Sequence, residues 1–220
     1  MPITRIDALT RRRILKGSTA LAATAAVPTG WAIAQAKPLK VGLMLPYSGT
    51  FAKLGENITS AVEMLVAEKG GKLGDREIQI IKLDDESKPE NGPQNAERLV
   101  KRDGVDVLIG TVHSGVQMGI HRVARESGVL NLIPNAGVHA ATRAMCAPNV
   151  FRTSFSNSQP TRALGKPMVD KGLKKAVWIT WKYAAGEEAF EGFKEGYLAA
   201  GGTIVKELGL PFPNVEFQAL

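Results

Sequence analysis

One segment of the chain, residues 103–137 (DGVDVLIGTVHSGVQMGIHRVARESGVLNLIPNAG), constrains the fold more than any other. The apolar runs Val105–Ile109 and Val129–Ile133 flank a stretch whose apolar residues recur at helical spacing, and each run ends in small polar residues. This pattern predicts a strand, a helix and a second strand, which is the βαβ unit of a parallel sheet. Ligands of such sheets bind just outside the carboxyl ends of the strands. We therefore predict that the loops at 110–115 and 134–137 form half of a ligand-binding cleft.

The rest of the chain repeats the alternation of strand and helix. Further strands are predicted at Leu39–Leu45, Glu77–Leu83, Val150–Thr153, Ala176–Thr180 and Thr203–Leu208, and further helices at Leu54–Glu68, Pro89–Lys101, Gln159–Lys171, Glu187–Ala199 and from Val215 to Leu220. We expect Pro167 to shorten the helix at Gln159–Lys171. The alternation predicts an α/β fold with doubly wound parallel sheets.

The strands fall into two series, four before residue 135 and two after residue 175. A two-stranded parallel sheet with an unfinished helix does not bury both of its faces. We therefore expect the sequence to be part of a longer two-lobed protein whose second lobe is incomplete here. The alternative is that the last segment extends the first sheet.

Residues 1–36 have the composition of an export signal. Arginines 11–13 precede a weakly apolar, alanine-rich stretch at Ser18–Val27, and the small residues that follow allow cleavage after Ala34 or Ala36. The adjacent arginines favour the twin-arginine route, and the apolar stretch is shorter than the roughly 20 residues of a membrane anchor. The leader carries five basic residues and one acidic residue, so only +3 of the net charge of +7 belongs to the remainder. We predict a periplasmic protein that does not bind nucleic acid.

Several chemistries are disfavoured by what the sequence contains. A single cysteine, Cys146, does not form a thiolate metal cluster, and His113, His121 and His139 lack metal-ligand spacing. We find no P-loop, no dinucleotide-binding glycine motif and no G-x-S-x-G elbow, so we expect no cofactor, no metal and no enzymatic activity. The acidic run at 84–86 precedes a helix, which favours helix capping and solvation.

Motifs along almost the whole mature chain resemble the periplasmic substrate-binding proteins of branched-chain amino acid ABC importers. These motifs are KVGLMLPYSGTFAKLGE at 40–56, LDDES at 83–87, DVLIGTVHSG at 106–115, NVFRT at 149–153, AAGEEAFEGFKEG at 184–196 and NVEFQAL at 214–220. The resemblance implies a type I periplasmic-binding-protein fold, with the first lobe at 37–155 and part of the second lobe at 156–220. It also implies a monomeric receptor that delivers a small carboxylate to an ABC permease.

The resemblance implies ligand-binding residues at matching positions. The family's carboxylate-binding serine matches Ser114, at the start of a helix where backbone amides and the helix dipole favour anions. The binding loop after the fourth strand matches Asn135, Ala136 and Gly137, and amino-acid binders often have Thr where this chain has Gly137. The second-lobe tyrosine that usually precedes a glycine is absent here, and the nearest tyrosine is Tyr183.

These departures leave the ligand open between an amino acid and an aromatic acid. His113, Tyr47, Phe51, Trp181 and Tyr183 have the side-chain chemistry that suits a flat aromatic carboxylate. Three of these residues also have a simpler interpretation, as a loop hydrogen bond for His113 and as core packing for Tyr47 and Phe51. Ser114 could likewise serve only as the N-cap of its helix. A ligand sensor of the same fold and, less favoured, an exported α/β hydrolase remain alternative functions.

Overall fold

The computed structural model describes residues 36–218, so the predicted export signal lies outside the described residues apart from Ala36. The strands are β1 (Leu39–Leu45), β2 (Lys72–Leu73), β3 (Arg76–Asp84), β4 (Val107–Ile109), β5 (Leu130–Ile133), β6 (Val150–Arg152), β7 (Lys175–Lys182) and β8 (Thr203–Pro211). The α-helices are α1 (Ala52–Glu68), α2 (Asn91–Glu97), α3 (Ser114–Ser127), α4 (Ser158–Asp170) and α5 (Ala184–Ala199), with a π-helix at Arg98–Asp103 and a 3-10 turn at Ala140–Thr142.

The first sheet has six strands in the order β2-β3-β1-β4-β5-β6. All of its pairings are parallel except the short β2–β3 hairpin, which the sequence did not predict. The chain runs from β1 outward to β3 and then crosses to β4 on the other side of β1. The order therefore reverses between β1 and β4, and ligands of doubly wound sheets bind at such a switch point. The predicted α/β fold is confirmed.

The central strand β1 is buried on both faces. Val41, Leu43 and Leu45 pack towards α1, whereas Met44 belongs to a second core with Leu108 and the helices α2 and α3. In a parallel strand that is covered on both faces, the sequence is a continuous run of apolar residues and does not alternate between apolar and polar residues. This property explains why the predicted bounds of β1 agree with the observed ones.

Strands β7 and β8 form a separate two-stranded parallel sheet. Trp178 of β7 stacks on Phe190 and Phe193 of α5, with ring centroids 5.4 and 5.2 Å apart. Val177 and Ile179 are more than half exposed. In a strand, neighbouring side chains point to opposite faces, so α5 covers one face of this sheet while the apolar residues of the other face are accessible.

Helices α4 and α5 pack so closely that glycine is required at the contact. A Cβ atom on Gly165 of α4 would lie 2.3 Å from the backbone nitrogen of Tyr197 in α5. The same helix continues through Pro167 to Asp170, so our expectation that Pro167 shortens it is wrong. We attribute the difference to packing against α5, which outweighs the one backbone hydrogen bond that proline removes.

Several predicted boundaries differ from the structure. Strand β7 extends to Lys182 and α5 begins at Ala184, so the loop predicted after β7 shrinks to Tyr183. The helix predicted at Pro89–Lys101 is a short α2 followed by the π-helix, and residues 215–217 are not helical. Aromatic residues pack well on a pleated surface, which accounts for the extension of β7 over residues that we predicted as loop.

Candidate functional site

The candidate site lies at the carboxyl ends of β1, β4 and β5, where α3 begins. His113 is the N-cap residue of α3, and its Nδ1 accepts the backbone N–H groups of Gly115 (3.0 Å) and Val116 (3.4 Å). Ser114 is the first residue of the helix, so the alternative in which it serves as the N-cap is wrong. An imidazole nitrogen has replaced the usual hydroxyl or carboxylate acceptor.

The capping bonds fix the tautomer of His113. Because Nδ1 accepts hydrogen bonds, the proton of the neutral ring is on Nε2. The side chain is only 3% exposed, and Nε2 has no hydrogen-bond partner among residues 36–218. Burial lowers the pKa of His113 to about 4. At neutral pH His113 therefore presents an unused N–H donor.

His113 lies within an aromatic cluster that consists of Phe51, His113, Trp181, Tyr183 and Phe212. The ring of His113 is 4.8 Å from that of Phe212 and 5.0 Å from that of Tyr183, measured between centroids. Phe212 also contacts Phe51 at 5.6 Å and Trp181 at 5.2 Å. Phe51 and His113 belong to the first sheet's loops, whereas Trp181 lies near the end of β7 and Tyr183 and Phe212 directly follow β7 and β8. The cluster therefore joins the loops of the two sheets.

The aromatic cluster differs from the predicted set of aromatic residues at two positions, Phe212 and Tyr47. Phe212, which contacts every other member of the cluster, was missed by the sequence analysis, although an aromatic residue just after an apolar strand could have drawn attention. Tyr47 packs with the β1–α1 core, and its hydroxyl is hydrogen-bonded to Thr59 Oγ1 at 2.9 Å. The structure thus places Tyr47 in the core rather than in the aromatic cluster.

A chain of hydrogen bonds leads from Ser114 to α5. Asn157 Nδ2 donates to Ser114 Oγ at 3.3 Å and to Glu188 Oε2 at 2.8 Å. The two carboxylate oxygens of Glu188 also accept the backbone N–H of His139, at 3.0 and 3.1 Å. Neither Asn157 nor Glu188 was identified from the sequence, because nothing in their local patterns marks them.

The predicted binding loop after β5 is hydrogen-bonded to, and packed against, other residues of the protein. The Ala136 N–H donates to the Thr111 carbonyl at 3.0 Å, and the Asn135 carbonyl accepts the Ser154 hydroxyl at 3.3 Å. Gly137 is buried against Asn157, and a Cβ at position 137 would lie 2.2 Å from Asn157 Oδ1. The side chain of Asn157 thus occupies the space that a threonine at 137 would need.

A buried polar network supports the loop that precedes α3. The Thr111 hydroxyl is hydrogen-bonded to Asp85, and the Thr111 N–H donates to Gln117 Oε1 at 3.1 Å. Asp85 is fully buried, and this burial raises its pKa, although hydrogen bonds from Thr111 and Ser87 oppose the shift. The prediction that the acidic run caps α2 and is solvated is wrong here, since Asp85 lies in the interior and α2 has no side-chain cap.

Neighbouring Asp84 organises the turn after β1. It accepts the backbone N–H groups of Tyr47 and Glu86, both at 2.8 Å, and the Ser48 hydroxyl at 2.6 Å. These bonds hold the first residues after β1 against the end of β3. The acidic run therefore shapes the loops at the switch point.

The structure also locates the other residues considered for metal binding. His121 is buried in α3 with Nε2 2.8 Å from the Met145 carbonyl, while His139 accepts the Ser158 N–H at 3.3 Å and Cys146 is exposed. Within residues 36–218, no group of three or more His, Cys, Asp or Glu side chains is arranged to hold a metal ion. In the same range, no helix has the length and apolarity needed to cross a membrane.

The doubly wound sheet and a site at its switch point define a class of α/β ligand-binding protein. Comparison with known proteins is more specific, because the sequence profile of the periplasmic binding protein family matches residues 38–220. The chain belongs to this family. It is 29% identical over 202 residues to Leu/Ile/Val-binding protein homolog 6 of Brucella abortus, covering 91% of this chain and 51% of that protein.

Solved structures give the same assignment. An ABC transporter solute-binding protein from R. palustris, solved in complex with benzoate, has a TM-score of 0.80 and 55% sequence identity, over 83% of this chain and 51% of that one. A second, from Rhodopseudomonas palustris BisB5 in complex with 3,4-dihydroxybenzoic acid, has a TM-score of 0.77 and 30% identity, over 82% and 49%. The chain thus spans about half the length of the relatives that it matches.

Proposed function

We propose that this protein is an exported solute receptor that captures a small aromatic carboxylate and delivers it to an ABC permease of the inner membrane. In this proposal residues 1–36 direct export to the periplasm, residues 37–155 form the first lobe and residues 156–220 belong to the second. The receptor acts as a monomer. The observation that carries the proposal is the unpartnered Nε2–H of His113, buried among aromatic rings next to Ser114.

The start of α3 supplies the anion-binding part of the site. Ser114 begins a helix of 14 residues, and the positive end of the helix dipole favours a carboxylate at this position. The Ser114 hydroxyl and the His113 Nε2–H are two neutral donors that a carboxylate can accept. Charge-assisted hydrogen bonds of this kind are stronger than those between neutral groups.

The aromatic cluster supplies the apolar part of the site. Phe51 and His113 on one side meet Tyr183 and Phe212 on the other, so separation of the two sheets would open a slot between flat surfaces. Stacked or edge-on aromatic pairs contribute about 0.5–1.5 kcal/mol beyond the buried area. A benzoate-like ring fits such a slot better than a branched aliphatic side chain.

Two further observations favour an aromatic acid over an amino acid. The space beside Gly137 is filled by Asn157, which excludes the threonine hydroxyl that amino-acid binders often use at this position. The relative with 55% identity was solved with benzoate bound. An ammonium group near the His113 N–H donor would also leave two donors facing each other, which is unfavourable.

Isothermal titration calorimetry on the full chain tests this proposal. Benzoate and 4-hydroxybenzoate should bind with at least tenfold higher affinity than L-leucine and L-isoleucine. As a control, Phe151→Ala changes an exposed aromatic residue of β6 outside the cluster and should leave the benzoate affinity unchanged. Tighter binding of leucine than of either aromatic acid would overturn the assignment.

A further inference from the structure

We propose that Asn157 is a positioning residue that sets the direction of the Ser114 hydroxyl hydrogen bond, and that Glu188 holds Asn157 in this role. The inference rests on the proposed function, because it concerns how the same site distinguishes a carboxylate from the uncharged carboxamide. It assigns a task to two residues that do not themselves need to touch the ligand.

The hydrogen-bond partners fix the orientation of the Asn157 amide. A carboxylate only accepts hydrogen bonds, so the group that faces Glu188 at 2.8 Å is the NH2 of Asn157. The Oδ1 atom points instead towards Gly137, where a Cβ would lie 2.2 Å away. The two hydrogens of Nδ2 are then shared between Glu188 and Ser114 Oγ.

This orientation determines what Ser114 offers to a ligand. Because Asn157 donates to Ser114 Oγ, the serine oxygen acts as an acceptor on that side and its own hydrogen remains to be donated elsewhere. Either oxygen of a carboxylate accepts that hydrogen in a charge-assisted bond, whereas a carboxamide offers only one neutral oxygen as acceptor and its NH2 donates. The direction of donation in the hydrogen bonds that link Glu188, Asn157 and Ser114 therefore favours the ionised acid.

The same series of hydrogen bonds connects the two sheets. Asn157 is the N-cap residue of α4 and Glu188 lies in α5, and these two helices pack tightly against each other. Ser114 begins α3, and His139 lies between β5 and β6. The bonds that cross between these groups include Asn157 Nδ2 to Ser114 Oγ and the His139 N–H to Glu188. The backbone N–H groups of Asn157 and Ser158 also donate across, to the Gly137 carbonyl at 2.9 Å and to His139 Nε2 at 3.3 Å. Separation of the sheets would break these crossing bonds and leave the Ser114 hydroxyl free to rotate. Ser114 is thus set as a donor only when the loops have come together.

The experiment reverses the direction of donation in these hydrogen bonds while keeping the sizes of the side chains and their total formal charge. In the double variant Asn157→Asp with Glu188→Gln, the amide at 188 donates to the carboxylate at 157, which then accepts the Ser114 hydroxyl. The single variant Glu187→Gln is the matched control, because it makes the same carboxylate-to-amide change at an exposed residue of α5 that takes no part in these hydrogen bonds. Calorimetry on the full chain measures the ratio of benzoate to benzamide affinity for each variant.

The wild type and the Glu187→Gln control should prefer benzoate, with ratios within about threefold of each other, and the double variant should lower the ratio at least tenfold. An unchanged ratio in a double variant that unfolds cooperatively near the wild-type temperature would overturn the inference. If the double variant does not fold, Asn157→Ala replaces it: benzoate affinity should fall while benzamide affinity stays, and equal losses for both ligands would refute the positioning role. If the wild type binds leucine and not benzoate, the proposed aromatic ligand is wrong, and the inference is tested by the same ratio for leucine and leucinamide.

Discussion

Replacement of His113 separates its role in capping α3 from its role in binding a ligand. In His113→Asn, the short amide can still accept the N–H groups that Nδ1 accepts at 3.0 and 3.4 Å, but it does not reach the place of Nε2. His113→Leu removes both functions. We expect both variants to lose benzoate affinity, and only the leucine variant to lose the cap.

The magnitudes follow from the bonds that are removed. A hydrogen bond to a charged group contributes about 1.5–3 kcal/mol, which corresponds to a loss of affinity of roughly 10- to 150-fold. Loss of an N-cap lowers the free energy of unfolding by about 1 kcal/mol. Calorimetry with benzoate measures the first quantity, and urea denaturation without ligand measures the second. A His113→Asn protein that binds benzoate within twofold of the wild type would refute the assignment of Nε2 as a ligand donor.

Three further predictions concern stability. Burial lowers the pKa of His113 to about 4, so the native state binds fewer protons than the unfolded state between about pH 6.5 and 4. The free energy of unfolding should therefore fall as pH drops through this range. Urea denaturation at several pH values should show a smaller fall for His113→Asn than for the wild type. Burial raises the pKa of Asp85, so the native state binds more protons than the unfolded state and the contribution of Asp85 to the free energy of unfolding is lost as pH rises above about 4. Asp85→Asn, which can still accept the hydrogen bond from Thr111, should remove that part of the pH dependence. Urea denaturation profiles that depend on pH identically in the variant and the wild type would contradict this prediction. Gly165→Ala should lower the free energy of unfolding by about 1–3 kcal/mol, because the added Cβ would lie 2.3 Å from the backbone nitrogen of Tyr197. An unchanged melting temperature would contradict this prediction and show that α4 and α5 can move apart.

The fold was predictable where a local pattern carries the information. The bounds of β1 at Leu39–Leu45 follow from a continuous apolar run, and α3 follows from apolar residues at helical spacing, although its first two residues belong to the loop predicted at 110–115. The end of β7 was not predictable in this way, and the predicted strand stopped at Thr180, one residue before Trp181. In the structure Trp181 pairs with Leu210 in the sheet and contacts Phe212, and such contacts depend on residues far along the chain.

The candidate site was predictable only in part for the same reason. His113 and Ser114 lie between a strand and a helix that both have clear patterns, so their place at the switch point could be anticipated. The hydrogen bonds of Asn157 and Glu188 span 43 and 31 residues of sequence, and neither residue belongs to a recognisable motif. The N-cap role of His113 was missed because serine is the more usual capping residue.

The most direct test of the central claim is a crystal structure of the full chain with benzoate. Our account predicts the carboxylate at the start of α3, with one oxygen within about 2.7–3.2 Å of Ser114 Oγ or His113 Nε2. The ring should lie between Phe51 and the pair Tyr183 and Phe212. A benzoate bound elsewhere, or with its carboxylate turned away from α3, would contradict the account.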